Sequence, residues 1–247
     1  MRITIKLRAL LLGALLALPS LGKELKVNLQ WAICDLNPEI VLQKLGEDGG
    51  DPYKKTPITY YDTNPPIHTQ HGLMFRRKTR RDQELSSVKV RFGMETPHVP
   101  DKVHCIWDRY GDDMSYTCEK QSPVYGTSLW TDEQIRFAER YRKIVWEDLV
   151  AFGPYPNPKW RLNIKGYNAV FDDVAAMSFH LMEMEVKVPK SKGDDTFQTV
   201  SEYLRNRGVT MCEHQEPKTV RLFRAMGVLA NSGGRPLSYG EQLMVQS

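Results

Sequence analysis

Apolar and polar residues alternate with period two along several stretches of this chain, and each such stretch predicts a strand with one buried face. "LKVNLQWAI" sets Leu25, Val27, Leu29, Trp31 and Ile33 against Lys26, Asn28, Gln30 and Ala32. "HLMEMEVKV" places Glu183, Glu185 and Lys187 on one face, and Met182, Met184, Val186 and Val188 on the other. Three consecutive runs, "PITYYDTN", "HGLMFRRKTRR" and "SSVKVRFG", predict a meander, and "WRLNIKGYNAVFDD" supplies further strand pattern. "CIWDRYGDDMSYTC" reads as a hairpin with Gly111 and two aspartates at its middle.

Helical periodicity is confined to four segments. "NPEIVLQKLG" has Asn37 as cap, Pro38 in the first turn and Gly46 at the stop. "TDEQIRFAERYRKIVWEDLVAFG" carries the strongest helical signal: Thr131 and Gln134 make a capping box, and Ile135, Ala138, Ile144, Val145 and Leu149 form an apolar stripe. The prolines of "GPYPNPKW" then predict a linker. "TFQTVSEYLRNRGV" predicts a helix stopped at Gly208, and "PKTVRLFRAMG" a last short one. Antiparallel strands with helices inserted between two halves make an α+β fold on a large sheet or barrel. No repeat of solenoid type is present.

The N-terminus changes the picture of charge and compartment. Arg2, Lys6 and Arg8 precede an apolar run from Ala9 to Leu18 and then Ser20 and Gly22, so residues 1–22 predict a secretory signal peptide. Its removal would leave one domain over residues 23–227 and a peripheral tail over 228–247, with no span of membrane length. The formal charge of +4 would fall to +1 without those three cations, which gives no argument for nucleic acid. Four cysteines in an exported chain favour disulfides, and a secreted or periplasmic location follows. Of three possible pairings we prefer Cys105 with Cys118, across the predicted hairpin; Cys34 with Cys212 would then tie the first strand to the late part of the chain.

The polar strand faces carry the candidate chemistry. Arg76 and Lys78 share a face, as do Lys89 and Arg91; Arg161, Asn163 and Lys165 follow, then Glu183, Glu185 and Lys187. Pointing into one interior, they would line a basic cavity with a carboxylate patch, suited to a phosphorylated or polyphosphate ligand and a divalent cation. Pointing outwards, they would be the solvated face of a one-sided sheet. Among other groups, His68 and His71 read as loop surface residues, and Asp108, Asp112 and Asp113 as hairpin residues. Asp172 and Asp173 fit a strand end or a metal site. No Ser/His/Asp elbow, P-loop or dinucleotide fingerprint occurs.

"YYDT", "HGLMFRRK", "SVKVRF", "NAVFDD", "MEMEVK" and "PKTVRLFRA" together resemble, in order and spacing, the motifs of the CYTH superfamily of triphosphate tunnel proteins. That family includes class IV adenylyl cyclases, thiamine triphosphatases and inorganic triphosphatases. The resemblance implies an eight-stranded antiparallel tunnel-like barrel with flanking helices, and magnesium or manganese as cofactor. By position, Arg76, Lys78, Lys89, Arg91, Arg161, Lys187 and Lys218 would hold phosphate, and Glu183 and Glu185 the metal. One departure bears on activity: the family's first strand reads ExExK, whereas Lys26, Asn28 and Gln30 stand here. Sliding the register by two restores only Glu24. Two expectations follow, a metal-dependent phosphoanhydride hydrolase or an inactive relative that binds a polyanion. A third reading is a disulfide-stapled secreted protein without a tunnel.

Overall fold

The computed structural model describes residues 24–47 and 50–229. The expected signal peptide and nearly all of the expected tail lie outside the described residues. The strands are β1 (Lys26–Ile33), β2 (Ile58–Asp62), β3 (Leu73–Arg80), β4 (Gln83–Phe92), β5 (His104–Tyr110) and β6 (Asp113–Pro123). They continue with β7 (Val150–Tyr155), β8 (Lys159–Ile164), β9 (Tyr167–Asp172), β10 (Ala175–Ala176), β11 (Phe179–His180) and β12 (Met182–Pro189). The α-helices are α1 (Pro38–Leu45), α2 (Asp132–Glu139), α3 (Gly193–Asn206) and α4 (Lys218–Ala225).

Ten strands form one sheet in the order β7-β2-β3-β4-β6-β5-β1-β12-β9-β8, and β10 with β11 makes a separate pair. All the ladders are antiparallel except β1 with β5. The expected eight-stranded closed barrel is therefore replaced by an open ten-stranded sheet, in which no ladder joins the edge strands β7 and β8 among the described residues. The sheet nevertheless curls. Lys54, just ahead of β2, makes an isolated bridge to Lys159 of β8. Arg76 on β3 and Glu185 on β12 lie five strands apart, about 24 Å in a flat sheet, yet Glu185 is close enough to help hold the Arg76 guanidinium charged.

Helices cover the convex face because the alternate apolar residues point there. Val27, Leu29, Trp31 and Ile33 of β1 and Met182, Met184 and Val186 of β12 pack on α1 and α3. Trp31 stacks on Phe197 and donates to Ser201 Oγ at 2.8 Å. Phe75, Val88, Val90 and Phe92 pack against Phe137 and Ala138 of α2. Asn37 caps α1 by accepting from the Ile40 amide at 3.0 Å, and the Thr131–Gln134 capping box starts α2, both as expected.

The long helix expected after Thr131 is corrected. α2 ends at Glu139, and residues read as helix end and linker form β7, with Tyr61 opposite Ala151 and Asp62 opposite Val150. Pairing with the edge of β2 satisfies the backbone there, and tertiary pairing overrides the helical period. Cys105 lies opposite Cys118 in the β5–β6 hairpin and is disulfide-bonded to it, and Cys34 is bonded to Cys212, as preferred from the sequence. No helix among the described residues is long and apolar enough to cross a membrane.

Candidate functional site

The other alternate set of strand residues faces the concave side, where α4 docks. Leu222 and Phe223 of α4 pack on Ile58, Tyr60, Phe152 and Leu181, closing the apolar half. Arg221 fixes the helix by donating to the carbonyls of Met182 at 2.9 Å and Ile33 at 3.2 Å. The polar half of the concave face stays between α4 and the strands.

At its centre is Glu119 of β6, a residue that sequence reasoning did not single out. It accepts from Arg76 at 2.7 Å and from Ser87 Oγ, and Lys78 lies 3.8 Å away. Burial alone would raise the Glu119 carboxyl, but Arg76, Lys89, Lys78 and the Ser87 bond hold it well below the usual carboxylate range. Cations outnumber this one anion. Burial and then Arg76 bring Lys78 down to about 7, with Lys89 and Lys159 adding to the effect. Burial, Lys159, Arg80 and Arg76 likewise lower Lys54.

Beside this group, Arg80, Arg81, Gln83, Leu85, Gln121, Ser122 and Pro123 line an open pocket of about 360 Å³. Leu85 is the ladder partner of Lys78, so the pocket begins at the Lys78 pair and extends toward the β3–β4 turn. A second, enclosed cavity of about 10 Å³ lies at the other end, under α4. Thr69, Arg91, Thr117 and Thr219 all line it, and the hydroxyls of the three threonines and Nε of Arg91 are buried without a hydrogen-bond partner. A space of that size takes one oxygen-sized guest, and its walls call for a polar one. Asp62, in the "YYDT" motif, holds Thr69 there by accepting from the amides of Thr63, Ile67, His68 and Thr69 at 2.8–3.1 Å.

The carboxylates occupy the opposite flank. Asp172 of β9 is the ladder partner of Glu183 of β12. Asp172 is bonded by Lys159 and Lys218, and Lys218 Nζ stands 3.6 Å from Glu183. Burial raises Glu183 to about 7 against the pull of Arg221. Burial first, then Lys159 and Arg221, draw the Lys218 ammonium well below its ordinary range. Glu185 is half-buried and 3.9 Å from Lys187. Asp108 of β5 accepts from Asn28 at 3.1 Å and Gln30 at 3.0 Å, so both β1 amides are engaged inside the face.

The concave face thus gathers Arg76, Lys78, Lys89, Arg91, Glu183, Glu185 and Lys218. Two other expected cations sit further out: Arg161 is exposed and stacks over Tyr53 at 4.2 Å, and Lys187 is exposed at the rim. His68 is buried against Phe75, not a surface residue as expected. Asp173 pairs with His180 at 2.7 Å and lies close enough to Arg221 to act on its charge. Glu119, Lys159, Lys54 and Arg80 were missed. The parity of β8 gave a signal for Lys159, since it shares a face with Arg161.

The expected divalent metal does not fit the residues present. Gln30 stands opposite Glu185 and Asn28 opposite Lys187, amides where hard cations need anionic oxygens. Among the described residues no group of three or more His, Cys, Asp or Glu side chains is arranged to hold a metal.

No family profile matches the sequence, and no curated protein does. Among solved structures, a "putative adenylate cyclase" from Bacillus halodurans superposes with a TM-score of 0.51 at 12% identity, covering 81% of this chain and 98% of that one. At this identity the likeness is one of fold, and the fold is of the CYTH type that the motifs predict. A "putative adenylyl cyclase" from Hippeastrum, described as having a dominant triphosphatase activity, also matches, at 13% identity over 83% of this chain and 97% of that one, with a TM-score of 0.48.

Proposed function

We propose that this protein binds a phosphorylated, polyanionic small molecule at the basic end of its concave face, as an exported binding protein held by two disulfides. The observation that carries this reading is the excess of cations around Glu119. Arg76, Lys78, Lys54 and Lys159 crowd one another there, and burial first, then these neighbouring charges, depresses all three lysines, an arrangement that costs free energy until an anion enters. The pocket beside them has room for a short chain of phosphates, and Arg80 lies at its mouth. Arg91 and the three threonines of the enclosed cavity offer donors to one further oxygen. Guanidinium groups suit this ligand class because their planar forks match phosphate oxygens. Two disulfides support the secreted or periplasmic assignment. The carboxylate pair engaged by Lys218 favours binding over metal-dependent hydrolysis.

Thermal unfolding with and without tripolyphosphate tests this. A ligand that binds only the folded state stabilises it by about 2.7 kcal/mol at a hundred times its Kd, which for a chain of this size raises Tm by roughly 5–10 °C. The rise should shrink with added salt as the charges are screened. Absence of any shift at low salt removes the polyphosphate reading. Release of inorganic phosphate, supported by magnesium or manganese, would instead establish the hydrolase.

Lys78 gives the binding a pH dependence whose sign is fixed. In the free protein it titrates near 7, and a bound polyanion raises that value by stabilising the ammonium. Binding above about pH 7 therefore takes up a proton, and affinity falls as pH rises, by at most about tenfold for each pH step of one, until the lysine of the complex titrates too. Calorimetry in buffers of different ionisation enthalpy should show this uptake in the wild type and its loss in Lys78→Arg, which stays charged. Equal proton uptake by both proteins would assign the effect to the ligand or another group.

A further inference from the structure

The two disulfides differ in what surrounds their sulfurs. Cys118 is fully buried in the convex cluster beside α2, with Cys105 half-buried against it. Cys34, just past the end of β1, is exposed, and its partner Cys212 is half-buried. One sulfur of this second pair has a cation held against it: Arg221 donates from Nη2 to Cys212 Sγ at 3.4 Å. The guanidinium is locked in place, since the residue is 8% exposed and also donates to the carbonyls of Met182 at 2.9 Å and Ile33 at 3.2 Å. Burial opposes its charge, whereas Glu183, Tyr110, Glu216 and Asp173 favour it. Beside Cys34, Asp35 is engaged by Lys44 and by the Thr210 amide at 2.9 Å, which limits its repulsion of an incoming anion.

Thiol–disulfide exchange needs an open sulfur to attack and a good leaving thiolate on the other side, and a thiolate leaves faster the lower its pKa. A neighbouring arginine lowers that pKa. Exposure and charge therefore select the same direction.

We propose that the Cys34–Cys212 bond is a thiol-exchange site, at which the thiolate of a small-molecule thiol attacks Cys34 Sγ and Cys212 leaves as a thiolate paired with Arg221. In this step the bond between Cys34 and Cys212 breaks, a bond between the small thiol and Cys34 forms, and the electron pair goes to Cys212 Sγ, with no net oxidation. A second thiolate attacking the small-molecule sulfur of the adduct releases Cys34 as a thiolate, so that two thiols are oxidised to their disulfide and the protein disulfide is reduced. The adduct is reversible. Backbone bonds from Cys34 to Thr210 O at 2.8 Å and from Cys212 to Ala32 O at 2.9 Å keep the two residues together after the bond opens, and the long loop closed by the disulfide favours its return. The exchange does not depend on polyphosphate binding, since neither cysteine nor Arg221 is among the cations assigned to that ligand.

The full chain, folded and oxidised, is incubated with excess reduced glutathione, quenched with N-ethylmaleimide and mapped by mass spectrometry. Glutathione is expected on Cys34 and maleimide on Cys212 of the same molecules, with Cys105–Cys118 intact. Glutathione chiefly on Cys212, earlier opening of Cys105–Cys118, or no adduct from the folded protein when the urea-unfolded chain forms one overturns the proposal. The leaving group has its own measurement. In Cys34→Ser the rate of Cys212 alkylation by iodoacetamide, followed against pH, should have a midpoint about one pH unit or more below the roughly 8.5 of a free cysteine. Arg221→Gln in that background should return the midpoint to the ordinary value, and Arg221→Lys, which keeps a positive charge, should retain most of the shift. A midpoint at or above the ordinary value in folded Cys34→Ser removes the directional leaving group, and with it the proposal, even if neither Arg221 variant folds.

Discussion

Replacing Arg76 by methionine is expected to weaken tripolyphosphate binding about a hundredfold, close to 2.7 kcal/mol, with little loss of folded protein. Arg76 is the cation on which the basic end converges. It donates to Glu119 at 2.7 Å, its Nε is buried without a partner, and it influences Lys54, Lys78, Lys159 and Lys218. One guanidinium nitrogen is thus engaged and another still has a bond to give, in a setting where charge-assisted bonds are strong. The fold should tolerate the change because Glu119 keeps Ser87 and Lys78, and removing one of several crowded cations relieves repulsion. Lys in place of Arg retains the charge without the fork, and about a tenfold loss is expected. Methionine at Arg161 or Lys187 should cost less than threefold, since both side chains lie in solvent at the margin. Isothermal titration on the four variants decides the matter: wild-type affinity in Arg76→Met, or a large loss in Arg161→Met, would move the site elsewhere.

That contrast shows what period two conveys and what it omits. Alternation put Glu183, Glu185 and Lys187 on one face, and it put Lys159 and Arg161 on one face, and the structure agrees in both cases. Parity says nothing about depth along a strand. Lys159 pairs with Asp172 inside the curl, whereas Arg161, two residues on, pairs with Val170 and lies over Tyr53 in solvent. Glu119 escaped notice for a related reason. A single carboxylate in "TCEKQ" looks like any strand charge until β4 and β3 bring Ser87 and Arg76 to it. The parallel contact of β1 with β5 was equally illegible, because it joins segments 80 residues apart and no local pattern encodes which strands become neighbours.

The helices divide along the same line. α1 was legible from its cap and stop and α3 from its stop at Gly208, because these are local chemistry, whereas α3 starts at Gly193, ahead of the predicted Thr196, with no side-chain cap to mark it. β7 was hidden because its apolar residues also fit a helical stripe, and only the free edge of β2 selects the extended form. Lys218 was assigned to the site by motif, but its partners Asp172 and Glu183 follow from the docking of α4.

Substituting both Cys34 and Cys212 by serine is expected to lower the free energy of unfolding by about 5 kcal/mol, since a bond across so long a loop removes much freedom from the unfolded chain. The sequence separation is 178 residues, against 13 for Cys105–Cys118, whose removal should cost about 3 kcal/mol by the same reasoning. Native contacts around the long-range bond would survive its loss. Cys34 donates its amide to Thr210 O at 2.8 Å, Cys212 donates to Ala32 O at 2.9 Å, and Gln215 both accepts from the Ala32 amide and donates to its carbonyl. The chain from Cys212 leads within six residues into α4, so the tether that stabilises the fold also fixes where Lys218 and Thr219 meet the concave face. The double variant should accordingly lose ligand affinity as well as stability, whereas Cys105→Ser/Cys118→Ser, at the convex cluster beside α2, should lose stability alone. Urea unfolding of both variants, with tripolyphosphate titrations under folded conditions, measures each effect. Equal losses of stability would show that loop length does not govern these bonds, and unchanged affinity in the Cys34/Cys212 variant would mean that α4 is held by Arg221 and its apolar contacts without help from the disulfide.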